Sequence, residues 1–144
     1  MWQCEHSEVT RASESKIWNL WAQVEDWPTW DHALTYARLS GEFKEGGTLH
    51  LHFTHIPTVK SIITRCDLHR GFVTVSVLPF TKLIFSHEIF EQGELHKITY
   101  QVTCKGLLSF FWRRIIGRKI AKHLPSALQN LVKLAEAAEA PSPF

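Results

Sequence analysis

Two groups of residues have the types and spacing to do chemistry. His50, His52 and His55 form an HxHxxH pattern, and an HxH pair on one face of a strand can hold zinc when a third ligand arrives from elsewhere. The alternation, however, places His50 and His52 beside Thr48 and Thr54, opposite Leu49, Leu51 and Phe53. That is the wet face of a half-buried strand, and it carries no carboxylate, so these read as solvent-facing histidines and no metal site is expected. His87 is different. It stands in the row Leu83, Phe85, His87, Ile89, whereas Lys82, Ser86 and Glu88 occupy the other face. Tyr100 lies between Ile98 and Val102 in the next apolar row, and a short turn at Gln92-Gly93-Glu94 makes the two strands neighbours. If that turn centres near Gly93, the imidazole and the phenol sit nearly opposite each other on the inner face. Such a pair can orient a polar group of a ligand, move a proton to or from an enolic intermediate, or form a core hydrogen bond with no ligand role.

Other chemistries find little support. Cys4, Cys66 and Cys104 are an odd number at wide spacing, which suits neither a disulfide framework nor a CxxC site, and reads as reduced, mostly buried thiols. No GxSxG elbow occurs, and Gly46-Gly47 is the only pair of adjacent glycines, so neither a serine nucleophile nor a phosphate-cradling loop is expected. No cofactor is implied. Six tryptophans stand in the chain, four of them between residues 18 and 30. Trp18, Trp21 and Trp27 read as anchors docking short helices onto the rest of the protein, while Trp30 is a candidate to roof a cavity mouth and stack on a ligand ring.

The elements that must hold these residues follow from periodicity. Trp2 to Thr10 reads as a strand. Ser13 can cap a helix that has Glu14 in its first turn and Ile17, Leu20, Trp21 and Val24 on one side, and Asp26 offers a second cap ahead of Trp27-Pro28. From Leu34 to Cys104 the period becomes two, and turn signals at Gly41, Glu45-Gly46-Gly47, His69-Arg70-Gly71, Leu78-Pro79 and Gln92-Gly93-Glu94 cut six strands. In these, Leu49, Leu51 and Phe53, then Val73, Val75 and Val77, then Ile98, Tyr100, Val102 and Cys104 are expected on the buried face. Beyond Gly106 the helical period returns, with Leu107, Phe111, Ile115, Leu124, Leu128, Leu131 and Ala135 as its apolar stripe and Pro125 as its expected bend.

The whole chain, 144 residues with 44% hydrophobic and 21% charged, has the composition of one globular domain and excludes a disordered tail, a fibre or a coiled-coil rod. One domain is expected over residues 1–138, with 139–144 as a flexible tail. Apolar runs are far shorter than the roughly 20 residues of a membrane-spanning helix, and the first residues lack the basic start and apolar core of a secretory signal, so a cytoplasmic protein is expected. The α+β order of one strand, two short helices, six strands and one long helix describes a helix-grip. A seven-stranded curved antiparallel sheet wraps around a long C-terminal helix, and a lined cavity is expected between them.

Three stretches carry a family resemblance: Ala12-Ser13-Glu14-Ser15-Lys16-Ile17-Trp18, Val24-Glu25-Asp26-Trp27-Pro28-Thr29-Trp30-Asp31, and Leu39-Ser40-Gly41-Glu42-Phe43-Lys44-Glu45-Gly46. Together with Gly106-Leu107-Leu108, Gly117-Arg118-Lys119-Ile120-Ala121 and Leu124-Pro125-Ser126-Ala127-Leu128, they resemble the START and Bet v 1-like (SRPBCC) superfamily, in particular its bacterial polyketide cyclase/dehydrase-like branch. The resemblance implies the helix-grip fold and a range of functions from lipid and sterol carriage to aromatase/cyclase chemistry.

The expected function is binding of a hydrophobic or amphipathic small molecule in the cavity. Its lining would be Trp30, Leu51, Phe53, Val75, Phe85, Tyr100 and Phe111, with His87 and Tyr100 as polar contacts. The alternative is an aromatase/cyclase-like or dehydratase-like enzyme using the same cavity.

Charge adds a second theme. Residues 1–94 carry a net −4 and residues 95–144 a net +6, with no acid between Glu94 and Glu136. Arg113, Arg114, Arg118, Lys119 and Lys122 stand beside Phe110, Phe111, Trp112, Ile115 and Ile116. This segment reads as the solvated face of a helix, as a transient contact for anionic lipid or ligand, or as a site for an acidic protein partner. Nucleic acid is not expected, since the overall excess of +2 comes with no recognition motif.

Overall fold

The computed structural model describes residues 1–54 and 58–139; His55 and residues 140–144 of the expected tail lie outside the described residues. The chain runs β1 (Trp2–Thr10), α1 (Glu14–Ala22), a 3-10 helix (Val24–Thr29), then β2 (Leu34–Ser40), β3 (Thr48–Phe53), β4 (Val59–Asp67), β5 (Gly71–Leu78), β6 (Thr81–Gln92) and β7 (Leu95–Gly106). It ends with α2 (Ser109–Trp112), a π-helical turn (Arg113–Gly117) and α3 (Arg118–Glu139). The seven strands form one antiparallel sheet in the order β1-β7-β6-β5-β4-β3-β2. It curls into a half-barrel around the C-terminal helix, the helix-grip architecture that the element order predicts.

Local chemistry sets the ends of these elements. The Ser13 hydroxyl accepts from the Lys16 amide at 3.3 Å and so caps α1, which buries Ile17, Trp18 and Trp21. The second short helix departs from expectation: it is 3-10, begins at Val24, and places Asp26 inside its first turn instead of at its cap. At the β6–β7 hairpin Gly93 takes φ +62°, so a two-residue turn pairs Gln92 with Leu95. From that register His87 falls directly opposite Tyr100.

Two expectations about phase fail, each for a physical reason. The inward row of β5 is Phe72, Thr74 and Ser76, not Val73, Val75 and Val77. Residues directly opposite in an antiparallel pair share a face. Because Phe72 faces His87, Thr74 faces Phe85 and Ser76 faces Leu83, the inward row of β6 dictates that of β5, and the valines fill the outer face that β-branched residues also favour. In the C-terminal segment, Leu107 (in the turn before α2), Phe111 and Ile115 are exposed, and the buried stripe is Ile116, Ile120, Leu124, Ala127, Leu128, Leu131 and Ala135. The π turn supplies the reason, since it adds a residue to one turn and breaks the phase of a 3.6-residue stripe carried through it. The helix is continuous through Pro125, and its irregularity lies upstream, where the ring of Trp2 packs against Gly117.

Candidate functional site

Between the concave sheet and α3 lies a cavity of about 50 Å³. Its floor is built by alternate residues of successive strands: Leu51 and Phe53 from β3, Val59 and Ser61 from β4, Thr74 and Ser76 from β5, Leu83, Phe85 and His87 from β6, and Tyr100 from β7. Ile120, His123, Leu124 and Ala127 of α3 form its roof, and Trp27, Trp30, Asp31, Ala33 and Leu34 close one end. Most of this surface is apolar. A polar line runs along it where the Ser61 and Ser76 hydroxyls hydrogen-bond to each other beside Thr74.

His87 is the centre of the site. Its ring stacks on Phe72 at 4.0 Å and on Phe85 at 4.3 Å, both nearly parallel, and meets the Tyr100 ring edge-on at 4.7 Å. Burial among these rings pushes its pKa down to about 3, with the Phe72 backbone pulling the other way. The imidazole is therefore neutral throughout the physiological range. Its Nδ1 is buried and has no hydrogen-bond partner among the described residues.

Tyr100 is adjacent, but the two do not bond to each other. The phenol oxygen instead accepts from Trp21 Nε1 at 2.9 Å, which leaves its own proton free to donate. Burial holds that proton firmly, raising the pKa well above the ordinary value; the Trp21 bond opposes the rise and the charge of Asp31 adds to it. Trp30 contributes a second unpartnered buried polar atom, its Nε1. Its backbone is fixed, because its carbonyl accepts from Asn130 on α3 at 3.2 Å and its amide donates to the Trp27 carbonyl at 3.1 Å.

Asp31, like Ser61, Thr74, Ser76 and His123, lines the cavity without being expected there. It lines the cavity one position after Trp30, and its Oδ1 accepts from the Ala33 amide at 3.1 Å. Burial raises its pKa to about 6, with the Ala33 bond and His32 pulling the other way. No periodic row carries it; it follows Trp27 and Trp30 at the end of an aromatic-rich plug. The pKa of His123 on the roof is shifted the other way, below the ordinary value, first by burial and then by Lys122, Lys119 and His32.

Of the residues expected to line the cavity, Trp30, Leu51, Phe53, Phe85, His87 and Tyr100 do so. Val75 and Phe111 do not: the first lies on the outer row of β5 and the second on the outer side of the helical segment before the π turn. Histidines 50 and 52 lie on the face opposite Leu49 and Phe53. There the His52 ring stacks on Tyr36 at 4.9 Å and its Nδ1 bonds the Thr35 hydroxyl. Among the described residues no three His, Cys, Asp or Glu side chains come together as a metal site would need.

No family model and no curated protein matches the sequence. Solved structures do match. The Zhui aromatase/cyclase from Streptomyces sp. R1128 aligns with a TM-score of 0.75 at 13% identity, covering 99% of this chain and 98% of that one. Norcoclaurine synthase from Thalictrum flavum, in complex with dopamine and hydroxybenzaldehyde, aligns at 0.71 and 13% identity, over 98% of this chain and 88% of that one. A protein from Thermus thermophilus aligns at 0.73 and 10% identity, over 96% and 99%. The chain has the START/Bet v 1-like fold. Within this fold the similarity extends over nearly the whole chain, and at such identities it carries the architecture alone.

Proposed function

We propose that the cavity reversibly binds a small hydrophobic or amphipathic molecule, with His87, Tyr100 and Trp30 setting its orientation. The observation that carries this reading is the pair of buried, unpartnered polar atoms in apolar walls, His87 Nδ1 and Trp30 Nε1. A buried polar group without a partner costs about 1–3 kcal/mol, and a ligand with a complementary donor or acceptor recovers it. The free Tyr100 proton adds a third directed contact. Leu51, Phe53 and Phe85 supply apolar contact.

The size of the cavity narrows the ligand. About 50 Å³ is well below the roughly 300–1,000 Å³ of common small-molecule sites, so a single ring with one or two polar groups suits it better than a folded polyketide chain. The three free thiols suit a reducing cytoplasm.

An enzymatic reading of the same cavity, aromatase/cyclase-like or dehydratase-like, is favoured by one observation. The Asp31 carboxyl titrates near 6, in the range where an acid or base exchanges protons most effectively. In that reading Asp31 moves the proton and Tyr100 orients the substrate, since an imidazole titrating near 3 is too weak a base.

Trp21, Trp27 and Trp30 are in or beside the cavity and make their fluorescence a reporter of occupancy. Titration with phenol or indole is expected to change this emission saturably. His87→Phe keeps the stacked ring and removes the polar nitrogens, and should weaken binding about tenfold, the equivalent of 1.4 kcal/mol. Equal affinity in wild type and His87→Phe would reject the orienting role of His87.

A further inference from the structure

We infer that the end of the molecule formed by the β5–β6 turn and the start of the C-terminal helix is a docking surface for anionic lipid bilayers. Five large apolar side chains stand out there: Val77 at 71% exposure, Phe80 at 73%, Leu107 at 81%, Phe110 at 63% and Phe111 at 45%. They belong to one structure, because the two segments are bonded together. The Trp112 indole donates to the Pro79 carbonyl at 3.1 Å, the Leu108 amide to the Phe80 carbonyl at 3.4 Å, and Thr81 pairs with Gly106. Large exposed apolar side chains gathered on two joined segments of a fold of this size mark a contact with something apolar.

Phe80 sharpens the point. It occupies φ +53°, a left-handed conformation that glycine takes freely and a bulky side chain takes at a cost. The turn thus holds an aromatic ring out in water where glycine would be more stable, which is the mark of a position kept for contact and not for folding.

Charge identifies the occupant. Lys82 and Lys105 line the same surface hollow as Val77 and Phe80, Arg113 and Arg114 follow Phe110 and Phe111 in the chain, and neither contributing segment, 68–87 or 95–135, contains an acidic residue. Aromatic and aliphatic side chains at a tip ringed by cations match the interface of a bilayer bearing anionic headgroups: the rings enter the acyl boundary and the cations meet phosphate and carboxylate. The same positive rim opposes self-association through this surface. Leu107 and Phe111 are exposed ahead of the buried stripe, which begins only at Ile116, so a membrane contact through them does not compete with the packing of that stripe.

Flotation of the whole protein with phosphatidylcholine vesicles, with and without phosphatidylserine, tests this. Binding to the anionic vesicles is expected, weak or absent on the neutral ones and reduced by high salt. Phe80→Gly should lower it by about tenfold or more while leaving thermal stability equal or higher, because the backbone strain is relieved. Arg113→Glu/Arg114→Glu should lower it comparably. No flotation with anionic vesicles at low salt overturns the inference, as does unchanged flotation of Phe80→Gly. A dimer by sedimentation that Phe80→Gly dissolves, without vesicle binding, overturns it in favour of a second copy of the chain.

Discussion

Burial drives His87 and Asp31 toward the uncharged state from opposite sides, and their contributions to stability therefore run in opposite directions with pH. Asp31 holds its proton more tightly in the folded protein, at about 6 against an ordinary 3.8. Its contribution is present at low pH and is lost as pH rises from about 4 through 6. His87 holds its proton less tightly, at about 3 against 6.5. What it contributes is complete above about 6.5 and is lost as pH falls toward 3. Asp31→Asn keeps the acceptor for the Ala33 amide and removes the charge. It should be more stable than the wild type above about pH 6, by up to roughly 3 kcal/mol, with the difference shrinking toward pH 4. Thermal unfolding across that range measures it, and parallel curves for the two proteins would contradict the assignment. At this scale the sequence made His87 and Tyr100 legible, because an interrupted apolar row is a visible signal. Asp31 was hidden. It lies outside any periodic row, and only the three-dimensional closure of the barrel end carries it into the cavity.

At the scale of elements, nearly every strand boundary could be read from alternation and turn residues, and β1, in particular, spans Trp2–Thr10 as expected. What could not be read was the phase of β5, since Val and Thr are both good strand residues and only pairing with β6 decides which row faces inward. The π turn was equally invisible: no residue type demands it, and the close approach of the Trp2 ring to Gly117 at its end is a tertiary contact. The junction at Gly106 belongs to this scale too. It has φ +131°, and a Cβ there would lie 2.4 Å from the Phe80 carbonyl oxygen and 2.8 Å from Thr81 Cα. Gly106→Ala therefore forces the hairpin and the helix start apart, and should destabilise the protein by about 2 kcal/mol or more. Ser13→Ala, which loses a single cap, should cost about 1 kcal/mol. Chemical denaturation of the two variants checks the order, and an equal or smaller loss for Gly106→Ala would contradict the close approach.

On the scale of the whole molecule, an open sheet closed on one side by a single helix cannot fill its interior with side chains alone, and the space left is the cavity. The one-sided alternation made that cavity foreseeable. Its narrowness and its Ser61, Thr74 and Ser76 line were not, because both depend on how far the sheet curls and on the phase of β5. The molecule thus has an apolar chamber whose lining includes two residues with unpartnered polar atoms, His87 and Trp30, and a basic, apolar tip at the end of the β5–β6 hairpin, which also carries Phe85 and His87. Native mass spectrometry of the purified protein, alone and with added indole or phenol, reads the occupancy of the cavity chain by chain. One small molecule bound per chain is expected, retained by the wild type and weakened in His87→Phe. A bare chain mass under every condition, or equal occupancy in the wild type and His87→Phe, would contradict it.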